Sequence, residues 1–148
     1  MSKQQEESAI KWGKIFKIFL LILAALIIGV VVFFVFKIHI DAKDALREAK
    51  NVKLALGSVD IEMYAKDKSV FDPSNKNGLE EGVKDKVKQY VTVDGTYKLT
   101  NYSYRKREIT GMIYEKDHYI VTYIKDGEDV YWDVDYKLNV YHFDDAEE

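Results

Sequence analysis

The sequence contains no cysteine and only one proline. The lack of cysteine excludes disulfide bonds, thiolate metal sites and cysteine nucleophiles together. The sequence also lacks the G-x-S-x-G nucleophile motif, a glycine-rich phosphate loop and the zinc motif H-E-x-x-H. Its histidines, His39, His118 and His142, are not at the spacing of metal ligands. We therefore expect a protein with no enzymatic activity, no cofactor and no small-molecule substrate.

An excess of positive charge is missing as well, because the formal net charge is −3. Binding of nucleic acid requires clustered positive charge, and the acidic residues prevail beyond the first forty positions. We therefore expect no nucleic-acid partner.

One long hydrophobic run is present near the N-terminus. Residues Ile18 to Phe36 include no charged and no hydroxyl-bearing side chain, and Lys17 and Lys37 flank them. At about 1.5 Å per residue, a helix of this length spans roughly 28 Å, close to the roughly 30 Å of a bilayer core. The run is longer than the roughly 7–15 apolar residues of a signal peptide, and no small-residue cleavage site follows it. The lipid bilayer is therefore the first expected partner, and the run an uncleaved anchor.

The flanking charges predict an orientation and a domain organisation. The tail, residues 1–17, holds four lysines, and a short lysine-bearing tail before an anchor favours the cytoplasmic side. We expect a cytoplasmic tail over 1–17, a transmembrane helix over 18–36 and an extracytoplasmic domain over 37–148.

The helical period continues beyond the membrane. The spacing predicts one helix from about Lys11 to Tyr64, and its second half, 41–64, has a single apolar stripe. The stripe is rich in alanine at its start, where Ala42, Ala45 and Ala49 would permit close approach of another backbone. It packs either against its own domain or against helices of other copies.

The rest of the chain predicts a loop over 72–78, a short helix over 79–90, strands over 96–143 and an acidic tail over 144–148. The dipeptides Asp94-Gly95 and Asp126-Gly127 each indicate a hairpin turn. The expected strands are Tyr97–Tyr104, Glu108–Glu115, Tyr119–Ile124 and Val130–Val134, with a fifth at the edge, Leu138–Phe143.

Together these elements predict an α+β fold, in which the long helix covers an antiparallel meander of four or five strands. The helix should bring its apolar stripe to one face of the sheet. We expect contacts between two sets of residues: Leu46, Val52, Leu56 and Met63 on the helix, and Leu99, Ile113, Val121 and Trp132 on the sheet.

Nine tyrosines lie between Tyr97 and Tyr141. Tyrosine suits both a half-buried sheet and a binding face, so Tyr102, Tyr104, Tyr114 and Tyr131 are candidate interaction residues. Acidic residues from Asp126 to Asp135 either form a solvated rim or bind Ca²⁺.

The stretches Ala49–Leu56, Ile61–Tyr64 and Ser69–Pro73 resemble type IV pilin-like proteins of Gram-positive bacteria. The resemblance implies a long helix packed under a sheet, and a structural or assembly role. The sequence departs from the family after Gly13, since Lys14 and Ile18 replace the phenylalanine and glutamate that follow the leader glycine.

The segment Tyr119–Asp135 also resembles the closing hairpin of PepSY or cystatin-like modules, which are often tethered by one helix. The two resemblances imply two functions for a membrane-anchored, non-enzymatic protein. The first is pilin-like assembly through self-association. The second is a tethered module that recognises another envelope protein through its tyrosine-rich sheet.

Overall fold

The structure is a computed structural model that describes the backbone of residues 3–137 and the side chains of residues 12–137. The chain divides into two compact units, residues 1–41 and residues 42–148. Helix α1, Lys3–Tyr64, forms the described part of the first unit and enters the second. The helix predicted from about Lys11 to Tyr64 therefore begins eight residues earlier and ends where expected.

The second unit places helix and sheet together, as predicted. After α1 come helix α2, Val83–Tyr90, and four strands: β1, Thr96–Ser103; β2, Glu108–Lys116; β3, Tyr119–Asp126; and β4, Asp129–Tyr136. The strands pair in the order β1-β2-β3-β4, and every pair is antiparallel. The α+β meander is therefore confirmed. The expected fifth strand, Leu138–Phe143, and the tail, 144–148, lie outside the described residues.

The core forms where the apolar stripe of α1 meets one face of the sheet. Buried residues recur along α1 at three- and four-residue steps, which is the period of one helix face. On the sheet, the buried positions along β3 alternate with half-buried or exposed ones. The buried cluster includes Ala45, Ala49, Val52, Leu56, Val59 and Met63 of α1, together with Leu99, Tyr102, Met112, Tyr114, Val121 and Tyr123 of the sheet.

The expected helix–sheet contacts are correct except at Ile113. Cross-strand partners share one face of a sheet, and Ile113 lies opposite Lys98 and Thr122. Its neighbours in β2, Met112 and Tyr114, are the buried residues instead. The prediction was wrong because β2 has apolar side chains on both faces, so alternation alone does not choose the inner face.

The hairpin predicted at Asp94-Gly95 is also wrong. Helix α2 continues to Tyr90, and Val91–Asp94 form no strand, so Gly95 leads the chain from a helix into β1. The Gly95 amide donates a hydrogen bond to the hydroxyl of Tyr114, 3.1 Å away. A Cβ at this position would lie 2.7 Å from the Tyr114 ring, which explains the glycine.

Helix α2 begins four residues later than predicted. Leu79 is held in an antiparallel bridge with Phe71, across the predicted 72–78 loop. Gly82 then has a φ of 79°, which ends any helix that would include it. By contrast, the second hairpin is confirmed, since Asp126 pairs with Asp129 across a two-residue turn at Gly127 and Glu128.

Candidate interaction sites

Every residue of the predicted transmembrane segment is exposed in its own unit. The helix from Trp12 contains an 18-residue window with a mean hydropathy of 3.4, none of which is buried. It is the one helix in the described residues that is long and apolar enough to span a membrane. These properties are compatible with a single-pass membrane anchor.

The alanine stripe is placed inside the domain. Ala45 and Ala49 are buried, and Ala42 is partly buried against the same core. Of the two alternatives for the stripe, the structure has the one in which it packs against its own sheet. Ala45 and Ala49 therefore have no surface to offer to a second copy.

A different face of α1 is open to solvent. Ile61 and Leu54 are 75% and 66% exposed, the highest values among the large apolar side chains described in the second unit. They are seven residues apart and therefore share a helix face, with the exposed Ser58 between them. We call Leu54, Ser58 and Ile61 the α1 ridge. The sequence contained this signal, but Leu54 and Ile61 are isolated apolar residues outside the main stripe.

Two grooves run beside the α1 ridge. One, of about 380 Å³, separates the ridge from Arg107 and Ile109 at the start of β2. The other, of about 320 Å³, separates it from Tyr90 and Val91 at the end of α2. A ridge between grooves is the surface that helices use when they pack against each other.

The four candidate tyrosines fall into two groups. Tyr102 and Tyr114 are buried, whereas Tyr104 and Tyr131 are 61% and 57% exposed. The Tyr104 ring packs edge-on against Tyr102, with 5.1 Å between the centroids. Of the four, only Tyr104 and Tyr131 therefore offer a binding surface.

The buried tyrosines are anchored by carboxylates of α1. Tyr102 donates a hydrogen bond of 2.8 Å to Asp60, which also accepts the backbone amide of Val70 at 3.1 Å. Arg107 lies 3.7 Å from the same carboxylate. Burial, and then the hydrogen bond to Asp60, raise the pKa of Tyr102. This cluster links α1, the loop after it and β1.

A second cluster repeats the arrangement closer to the start of the domain. Tyr114 donates a hydrogen bond of 2.6 Å to Glu48, and Lys116 forms an ion pair with the same carboxylate. Burial, and then the bond to Glu48, raise the pKa of Tyr114. Both tyrosines thus serve the helix–sheet packing, and sequence reasoning missed their carboxylate partners.

A concavity of about 870 Å³ lies between the 72–78 loop, α2 and β1. Burial, and then the charge of Asp85, raise the pKa of Tyr97 in its wall to about 12. Hydrogen bonds from Ser74 lower the pKa of Asp72, and they shape the loop. The concavity is open, and its walls mix lysine and carboxylate side chains.

The acidic residues near the last hairpin lie on the outer face of the sheet. Asp133 and Asp135 pair with Thr122 and Ile120 of β3, away from the helix. Within the described residues, no group of three or more acidic or histidine side chains is placed to hold a metal ion. Asp133 and Asp135 are exposed, which is the arrangement expected of a solvated rim.

Ile124 and Tyr131 are opposite each other on this outer face, and both are more than half exposed. No described helix covers them. The outer face is therefore the second apolar surface of the domain, after the α1 ridge.

Comparisons with known proteins return no relatives. No family model matches the chain, and neither a curated protein nor a solved structure is similar to it.

Proposed function

We propose that this chain is a non-enzymatic, single-pass membrane protein of the bacterial envelope with a pilin-like structural or assembly role. Residues 18–36 span the bilayer, residues 1–17 lie in the cytoplasm and the α+β domain is extracytoplasmic. The apolar N-terminal helix supports the anchor, and the helix packed on an antiparallel sheet agrees with the pilin-like resemblance.

The observation that carries the assembly role is the α1 ridge. Leu54 and Ile61 are large apolar side chains that stay exposed on one face of α1. Copies anchored in one bilayer share one orientation, so they can present the ridge to each other side by side. The ridge of one copy then packs into a groove beside the ridge of the next.

Disulfide cross-linking in native membranes tests this role, because the chain has no cysteine of its own. Ser58→Cys places one thiol on the α1 ridge of the full chain. We expect oxidation to give a cross-linked dimer, and the added changes Leu54→Lys and Ile61→Lys to lower its yield severalfold. The lysines put charge into an apolar contact, which costs several kcal/mol if the contact is buried.

The matched control introduces the same charge on the other apolar surface. Ser58→Cys combined with Ile124→Lys and Tyr131→Lys should cross-link as well as Ser58→Cys alone. Equal yields from all three proteins would show that the thiols meet by chance collision, and the assembly role would then be wrong.

The second candidate function is a tethered binding module. The uncovered outer face of the sheet favours it, since Ile124 and Tyr131 form an exposed apolar pair there. An envelope protein that binds this face would be recognised by a single anchored copy, with no need for the α1 ridge.

A further inference from the structure

The two edges of the sheet differ in how their backbone groups are used. At the β1 edge, the amide of Leu99 donates a hydrogen bond of 2.9 Å to Asn77 in the 72–78 loop. Gly78 packs so closely on the Leu99 carbonyl that a Cβ would clash with it. The β1 ladder is also irregular around Asn101. This edge is closed by a loop and by a bulge, the usual protections against further pairing.

Among the residues that the structure describes, none gives the β4 edge either protection. All eight residues of β4 pair with β3 in an unbroken register. Lys137, just beyond the strand, donates its amide to His118, and hydrogen bonding alternates along an antiparallel pair. Asp133 and Asp135 therefore bond to β3, while Trp132 and Val134 direct their amide and carbonyl groups to the free edge. No other described segment forms a backbone hydrogen bond with β4.

One of these outward amides is covered by a neighbouring side chain. The carboxylate of Asp133 accepts the amide of Val134 at 3.0 Å, in an exposed position. A hydrogen bond between adjacent residues at the surface is readily exchanged for another acceptor, since its net free energy is small. A carbonyl from an added strand could take its place and release the Asp133 carboxylate.

The charge of β4 selects the kind of strand that can be added. The segment from Asp126 to Tyr136 has five acidic residues and no basic one. A second copy of β4 would bring its own aspartates beside Asp133 and Asp135, and like charges on neighbouring strands are destabilising. A strand with lysine or arginine would instead gain opposite-charge pairs.

The faces of β4 specify the pattern of this strand. Asp133 and Asp135 project to the outer face, while Val130 and Tyr136 project to the inner face and are 50% and 48% exposed. Trp132 is half-buried on the inner face against Tyr123, with 4.7 Å between the ring centroids. A complementary strand has basic side chains outside and apolar ones inside, so the two types alternate along it.

We propose that β4 is a docking edge for an extended segment of another protein in which basic and apolar residues alternate, and which adds to the sheet as a further strand. This inference rests on the second candidate function and names its partner class. Backbone hydrogen bonds provide affinity, and the carboxylates of Asp133 and Asp135 provide selectivity.

A synthetic peptide tests the proposal on the full chain in detergent micelles. The probe is an octapeptide of alternating lysine and valine with blocked ends. Trp12→Phe leaves Trp132 as the one tryptophan, so its fluorescence reports on β4. We expect a saturable fluorescence change. Asp133→Asn with Asp135→Asn should weaken binding about tenfold, because two opposite-charge pairs are lost.

Backbone methylation separates strand addition from simple charge attraction. One version of the peptide carries methyl groups on the backbone nitrogens of its valines. The other carries them on the backbone nitrogens of its lysines. Only one of these sets faces β4 in an added strand, so we expect one version to fail and the other to bind. Equal effects of the two methylations would overturn the proposal, as would equal binding of a glutamate–valine peptide.

Other occupants of the edge give different results. A β4-dependent dimer in sedimentation that the peptide does not dissociate would assign the edge to a second copy and overturn the proposal. Peptide binding that requires removal of residues 138–148 would assign the edge to this segment of the chain itself. That result would also overturn the proposal. The variant with Leu54→Lys and Ile61→Lys should bind the peptide normally, so failure of the assembly role and failure of this inference are distinguishable.

Discussion

Glu48 is a single residue that connects helix α1 to strand β2. Its carboxylate accepts the hydroxyl of Tyr114 and pairs with Lys116, and Lys116 also lies 3.7 Å from Asp94. Burial raises the pKa of Glu48, but the hydrogen bonds from Lys116 and Tyr114 outweigh burial, and the pKa is lowered from 4.5. The folded state therefore stabilises the ionised carboxylate of Glu48 more than its protonated form.

This lowered pKa predicts a pH dependence of stability. A carboxyl group whose pKa is lower in the folded state contributes stability above its unfolded pKa, and this contribution is lost as the pH falls through the folded pKa. We expect Glu48→Gln to lower the free energy of unfolding by about 1–3 kcal/mol at pH 7. The difference from the unchanged protein should shrink as the pH falls below 4.5.

Urea unfolding at several pH values, followed by circular dichroism, measures the difference. Glu81→Gln, at an exposed position, is the control and should change little at any pH. A difference for Glu48→Gln that stays constant from pH 7 to pH 3 would contradict the assigned role of the ionised carboxylate.

At this scale the sequence is least informative. Asp60 and Tyr102 are 42 positions apart, and Glu48 and Tyr114 are 66 apart, so no local pattern joins them. Tyrosine was recognised as a residue suited to both a core and a surface. Whether Tyr102 and Tyr104 lie in the core or at the surface depends on the pairing of β1 with β2. The register of this pairing shifts near Asn101.

The elements themselves are largely predictable, because periodicity is a property of each segment alone. All four described strands and the end of α1 at Tyr64 were predicted to within two residues. The same dipeptide nevertheless gave a correct hairpin at Asp126 and a wrong one at Asp94. Asp126-Gly127 has a strand on each side. Asp94-Gly95 is preceded by helix α2, so no strand on its N-terminal side is available to pair with β1.

At the scale of helix α1, the burial of the alanine stripe predicts a stability effect. Ala49→Leu adds volume to a position with no exposed surface, and overpacking of this kind costs about 1–3 kcal/mol. We expect a lower midpoint of urea unfolding. Asn51→Leu, on the exposed side of α1, should leave the midpoint unchanged.

The same pair of variants tests whether the alanine stripe packs in the core of its own domain or contacts other copies. If Ala49→Leu weakened cross-linking through Ser58→Cys while the unfolding midpoint stayed constant, the stripe would be a contact between copies. Loss of stability assigns it to the core of one domain.

At the scale of the whole molecule, orientation in the membrane is the main prediction. Lys106→Cys places a thiol in the exposed turn between β1 and β2, and Ser8→Cys places one in the N-terminal tail. In intact cells, a membrane-impermeant maleimide should label Lys106→Cys and leave Ser8→Cys unlabelled until lysis. The reverse pattern would put the domain in the cytoplasm and end the proposed envelope role.

The closed β1 edge has a consequence for the composition of any complex formed at β4. A strand added to β4 extends the sheet on one side, and the 72–78 loop prevents growth on the other. One domain can therefore accept one strand and cannot link two. A complex formed in this way has a stoichiometry of one to one, and it stops at a pair instead of propagating into a fibre.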